Sequence, residues 1–147
     1  MNEVLIKRHN EVVRLSDTTV FAGDFALDKY ENVKEIIGKL NEDKIFLKGS
    51  HDRLILKNYP CSDIWKKAIN GQQVVVCHYA MRVWPASHYN SWQLFGHSHG
   101  KLETIGKQID IGVDTNNFYP YSFDEVSIIM KTKPDNFDVI KKTRHSK

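Results

Sequence analysis

Trp92-Gln93-Leu94-Phe95-Gly96-His97-Ser98-His99-Gly100 decides how this chain is read: a short run of strand character enters a glycine-flanked turn with imidazoles on alternate residues. Three other stretches share the plan of an apolar run that ends in a metal-ligand type of side chain. Gly23-Asp24 follows Thr19-Val20-Phe21-Ala22, Gly49-Ser50-His51-Asp52 follows Ile45-Phe46-Leu47, and His78-Tyr79 follows Val74-Val75-Val76-Cys77. Apolar runs of this length suit buried strands, and the strand ends of an α/β protein bring together residues distant in sequence. The pattern predicts four strand ends delivering carboxylate and imidazole to one edge of a sheet.

Helical and strand periods alternate around these motifs. Val4, Leu5, Val12 and Leu15 fall near one helical stripe over residues 3–15, and 19–22 follows as a strand. Asp28 is placed to cap a second helix bearing Val33, Ile36, Ile37 and Leu40, before strand 44–47. A weaker helical stretch is expected over 64–69, the most β-prone run over 73–77, and a loop rich in Trp, Tyr, Pro, Ser and His over 79–91. Residues 101–105 and 108–113 flank Gly106-Lys107 as an antiparallel pair. Ser122-Phe123-Asp124-Glu125 has the form of a capping box that opens a last helix. The alternation predicts an α/β layered fold, not a bundle or an all-β barrel.

A length of 147 residues, 41% hydrophobic and 27% charged, suits one globular domain. No apolar run reaches the roughly 20 residues that span a bilayer. The opening Met1-Asn2-Glu3 lacks the basic-then-apolar pattern of a secretory signal, so a cytoplasmic location is expected. Cys61 and Cys77 lack metal or redox spacing and are expected as reduced thiols. Residues 131–147 hold six Lys or Arg and two Asp, so a net charge of +3 leaves the first 130 residues near −1. The basic tail is expected to be solvated; contact with nucleic acid is the weaker alternative.

Asp24, where the backbone turns off a strand, suits binding one metal or bridging two; an Asx turn or helix cap is the plain alternative. His78 reads either as a ligand or as a core histidine, and His97 and His99 share an orientation along an extended backbone. In the 79–91 loop, Arg82, Trp84, His88 and Tyr89 are candidates for phosphate or base contacts, or else close the edge of the core. Arg53 reads equally as a phosphate contact or a surface ion pair. His9 and His145 carry no assigned role.

In this order the motifs resemble the calcineurin-like metallophosphoesterases, whose pattern runs D-x-H, G-D, G-N-H-D or G-N-H-E, a lone H after a strand, and G-H-x-H. Gly23-Asp24, Gly49-Ser50-His51-Asp52, His78 and Gly96-His97-Ser98-His99 match the last four blocks. Ile111-Gly112-Val113-Asp114 looks like the strand that follows in small phage and bacterial members. The resemblance implies a sandwich of mixed β-sheets flanked by helices. It also implies that Asp24 is shared by two metals, that Ser50, His78 and His97 complete one site, and that His99 belongs to the other. His51 would stand near the leaving group, oriented by Asp52. The implied reaction is hydrolysis of a phosphomonoester or phosphodiester by attack of metal-bound hydroxide, with Mn, Fe or Zn as the cation.

Two departures qualify that expectation. No D-x-H triplet occurs in the chain, so the first strand of the family pattern, with its Asp and His ligands, is missing. Loss of an internal strand would leave unpaired amides and an uncovered apolar face, which would favour oligomers. Ser50 stands where the family has Asn, and its hydroxyl is a poorer ligand than a carboxamide. One metal is expected rather than two, with impaired activity. The alternative is a weak or inactive pseudoenzyme acting as a protein-interaction scaffold.

Overall fold

A computed structural model describes residues 2–25 and 30–141. The chain opens with α1 (Asn2–Val12), β1 (Thr18–Phe21), α2 (Tyr30–Lys39) and β2 (Asp43–Leu47). A short α3 (Arg53–Asn58) and the two-residue β3 (Cys61–Ser62) follow. These three strands form a parallel sheet in the order β1-β2-β3, with Val20 beside Ile45 and Phe46 beside Cys61. Parallel neighbours need a crossover, and α2 supplies it between β1 and β2 by packing Val33 and Ile37 into a cluster with Phe46 and Ile55.

β4 (Ile64–Ile69) and β5 (Gln72–Cys77) form an antiparallel hairpin around Asn70-Gly71, whose φ values of 50° and 81° lie in the left-handed region. Such a two-residue turn matches the twist of the strands it joins. The helix expected over 64–69 is therefore a strand. Residues four apart share a face in a helix and in a strand alike, so Trp65 and Ile69, both packed on the core, satisfy either period. The Asn-Gly turn is the local signal that separates the two.

β6 (Trp92–Phe95) runs parallel to β5, and β7 (Gln108–Asp110) parallel to β6, completing a mixed sheet in the order β4-β5-β6-β7. The expected antiparallel pair around Gly106-Lys107 does not form; 101–105 is irregular. Buried Gln108 accounts for this. Its side-chain amide donates to the Met81 carbonyl and to Gln93 Oε1, while its own Oε1 accepts the Ile105 amide. α4 (Phe123–Lys131) begins on the Ser122–Glu125 capping box, with both reciprocal hydrogen bonds present.

The two sheets meet through Leu47 on one side and Val74 and Val76 on the other, with Val20, Ala22 and Leu94 packed around them. The fold is thus an α/β sandwich with helices on its flanks. The four motif-bearing strands do not share one sheet edge: β1 and β2 belong to the first sheet, β5 and β6 to the second. Residues 132–141 are largely exposed, as a solvated tail would be, but are pinned to the fold. Buried Asn136 donates to the carbonyls of Ser87 and Ser91, and the Ile140 amide donates to the His88 carbonyl. Leu15 lies beyond the end of α1 and is exposed. Asp28 and residues 142–147 lie outside the described residues. Among the described residues no helix is long and apolar enough to cross a membrane. Both cysteines are free thiols.

Among the described residues β1 has a strand neighbour on its β2 side alone. Against its other edge lies a cavity of about 1420 Å³ walled by Ile6, Val20, Trp65, Val76, Leu94 and Phe123. α1 reaches across this cavity to segment 113–121. Arg8 donates to the Asn117 carbonyl and lies over the Phe118 and Tyr119 rings, and the Tyr119 hydroxyl donates to Glu11. His9, buried on α1, lies with its Nε2 2.9 Å from the buried Glu42 carboxylate at the entry of β2.

Leu47 is the first-sheet member of the buried contact between the sheets. Leu47→Ala is expected to cost about 3 kcal/mol, the usual scale for a fully buried leucine, read as a lower urea midpoint with an unchanged slope.

Candidate metal centre

The site begins with two turns that interlock because neither carries a side chain at the crossing. Gly23, at φ 96°, follows β1, and a Cβ there would lie 2.6 Å from His78 Nδ1 and 2.7 Å from Gly49 Cα. A Cβ at Gly49 would collide with the Asp24 amide and carboxylate. Asp52, buried at the head of α3, joins the turns. Its Oδ2 accepts the amides of Asp24 at 2.7 Å and Gly49 at 2.8 Å, and its Oδ1 accepts the amide of Phe25 at 2.8 Å. These three backbone amides take most of the carboxylate's roughly four acceptor sites, so Asp52 braces the two turns, whereas the resemblance implies that it orients the His51 imidazole.

His78, 2% exposed, follows β5 and crosses to the other sheet. Its Nδ1 lies 2.7 Å from the Ala22 carbonyl oxygen, which can only accept, so Nδ1 carries the proton. In the neutral ring Nε2 is then a lone pair. Facing it are Asp24 Oδ2 at 3.2 Å, His97 Nδ1 at 3.2 Å and Ser50 Oγ at 3.4 Å. The three ligand-type groups of Asp24, His78 and His97 lie within 4.8 Å of one another. A carboxylate and an imidazole lone pair at this distance repel unless a proton or a metal cation lies between them. A histidine whose second nitrogen donates to a carbonyl is the arrangement that orients a metal ligand. The donor set of two imidazoles and one carboxylate fits a first-row divalent cation.

Partial burial alone would raise the Asp24 pKa; the His51 amide, the positive charge His78 carries when its ring is protonated, and the Ser50 hydroxyl outweigh it and hold the carboxyl below its usual range in the metal-free protein. The His51 amide donates to Oδ1 at 2.8 Å and Ser50 Oγ to Oδ2 at 3.1 Å. Asp24, His97 and His99 have φ values of 52°, 65° and 51°. Left-handed backbone at three neighbouring non-glycine positions is strain that the surrounding bonds must hold, and such strain concentrates at functional sites.

His99 does not join the cluster. Its Nδ1 is 2.7 Å from Asp114 Oδ2, and the ring is largely exposed. His51 contributes its backbone amide, while its exposed side chain stands outside the group of three ligand-type residues. In the 79–91 loop, Trp84 is buried and donates through Nε1 to the Ser91 carbonyl, so it closes the core. Arg82 lies over the Phe137 ring, and the His88 and Tyr89 rings contact each other. Arg53 is exposed at the start of α3. Asp110 is a site residue that motif reading passes over. From the end of β7 its carboxylate accepts the amides of Gly100 and Gly112 at 2.8 and 2.9 Å, bracing the histidine turn as Asp52 braces the Asp24 turn. Its signal is a lone acid in an apolar run, Ile109-Asp110-Ile111.

No protein-family model matches the chain. It is similar to an uncharacterised protein of Methanocaldococcus jannaschii, MJ1445, at 29% identity over 143 residues, covering 90% of this chain and 77% of the relative. In fold it is similar to the crystal structure of AQ665 from Aquifex aeolicus, a protein of unknown function. There the TM-score is 0.69 at 19% identity, over 87% of this chain and 84% of that one. The structural likeness shows a shared α/β sandwich.

Asp52→Ala leaves three partly buried amides without an acceptor. It is expected to destabilise the fold by about 3 kcal/mol, and Asp52→Asn by less, measured by urea unfolding. A depressed Asp24 pKa means that the folded state binds its proton more weakly than the unfolded state. This contribution to stability is full above the ordinary carboxylate pKa and is lost as pH falls through the lower folded value. Comparing acid unfolding of the wild type and Asp24→Asn should show a smaller loss below about pH 4 in the variant.

Proposed function

We propose that the protein is a divalent-cation-dependent phosphoesterase in which Asp24, His78 and His97 hold the ion. The observation that carries this reading is the approach of the His78 Nε2 lone pair to Asp24 Oδ2 and His97 Nδ1 at 3.2 Å each. The order of the motifs along the chain, which resembles the calcineurin-like enzymes, supports the choice of a phosphoester substrate. When bound, a Mn, Fe or Zn ion supplies Lewis-acid polarisation and lowers the pKa of water.

The protein's own residues do the rest. The Ala22 carbonyl fixes the His78 ring, and Asp52 fixes the two turns. The Ser50 hydroxyl, too short to replace a carboxamide as ligand, hydrogen-bonds Asp24 and leaves room for water or a phosphoryl oxygen. His51, on the exposed rim, is the candidate to offset charge on the leaving oxygen. The cavity lies beside β1, on the side where a strand carrying a D-x-H block would have to pair. A chain holding only this trio is expected to bind one ion and to turn over slowly, since each 1.36 kcal/mol of lost transition-state stabilisation costs about tenfold.

Calorimetric titration with Mn²⁺ is expected to give one site per chain, lost in Asp24→Asn and in His78→Ala. Hydrolysis of bis(4-nitrophenyl) phosphate should require the cation and fall by more than about 100-fold in His78→Ala, since loss of an outer-shell partner alone typically costs about 10–100-fold. Binding of Mn²⁺ without hydrolysis would favour the scaffold reading, and no binding would overturn the proposal.

A further inference from the structure

Tyr79 stands beside the ligand cluster in a way that neither its neighbours in the loop nor the core explains. Its ring packs edge-on against His78 at 4.7 Å between centroids and tilted against His97 at 4.8 Å. It remains 48% exposed. The aromatic residues first considered for contact with substrate do not take this place: Trp84 is buried in the core, and the Tyr89 ring is engaged with His88.

The backbone beneath Tyr79 is rigidly held. Gln93, fully buried on β6, donates through Nε2 to the Tyr79 carbonyl and accepts the Met81 amide on Oε1, while Gln108 donates to that same Oε1 at 2.7 Å. A buried, mutually bonded amide pair fixes the Tyr79 backbone from below, and the contacts with the His78 and His97 rings orient its side chain, so part of the ordering cost of binding is already met. A rigid, half-exposed aromatic ring next to a cation site is suited to stacking on a planar group attached to the phosphorus that the cation would hold.

We infer that Tyr79 is a specificity-determining wall of the site and selects phosphoesters bearing a planar aromatic group, a single aryl ring or a nucleobase. This inference rests on the phosphoesterase reading above. Stacking of one ring is expected to be worth about tenfold in affinity, within the range measured for base–aromatic contacts.

The test is calorimetry on the full chain loaded with Mn²⁺, with phenylphosphonate, cyclohexylphosphonate and methylphosphonate as probes. The wild type should bind phenylphosphonate about tenfold more tightly than the other two. Tyr79→Phe should keep that preference and Tyr79→Leu should lose it, with Mn²⁺ affinity the same in all three proteins. A non-hydrolysable adenosine phosphonate separates the two sources of planarity, binding more tightly than phenylphosphonate if a nucleobase is the intended group. If the wild type binds all three simple phosphonates equally, or Tyr79→Leu keeps the preference, the role of Tyr79 is overturned while the phosphoesterase reading stands. If Tyr79→Leu changes only Mn²⁺ affinity, Tyr79 merely supports His97 and the inference fails. Failure of every phosphonate to bind a Mn²⁺-loaded wild type would sink both.

Discussion

The bond from His78 Nδ1 to the Ala22 carbonyl joins the two sheets where the site is built, and most of the site's character follows from it. It assigns the proton to one nitrogen, aims the other at Asp24 and His97, and ties the exit of β5 to the exit of β1. A polar link of this kind, buried beneath Tyr79 and beside Gly23, depends on close backbone approach. The interlocked glycine turns provide that approach. Apolar packing of Leu47 on Val74 and Val76 sets the spacing of the sheets, and the imidazole bond sets their register at the functional end.

Two buried carboxylates share a second task. Asp52 gathers amides from the turns after β1 and β2, and Asp110 gathers amides from the histidine turn and the segment after β7. Each draws together loops far apart in sequence and holds non-glycine residues in left-handed backbone. The candidate ligands are therefore positioned by acids that hold their backbone and whose carboxylates stand outside the cluster. This divides the acidic residues of the site into one that faces the cation position and two that hold the frame.

Much of the fold was legible because the strands carrying the motifs are short apolar runs, and the capping box at Ser122 is a purely local signal. The 64–69 segment was misread because Trp65 and Ile69 satisfy two periods at once, while the decisive Asn70-Gly71 turn lies outside the window. β7 was paired with the wrong neighbour because its partner is chosen by buried glutamine bonds between residues 81, 93, 105 and 108, a tertiary effect that has no periodicity. For the site, Asp24, His78 and His97 were legible from strand-end placement. His99 and Asp52 were assigned by motif position alone, and position does not reveal that Asp114 takes one and backbone amides take the other.

The open side of β1 has a consequence for how the molecule behaves outside its function. A row of amides and carbonyls lacking a strand neighbour, set between greasy walls, is a template on which any extended polypeptide can nucleate. Among the described residues this seam is the sheet edge from which pairing between molecules would start.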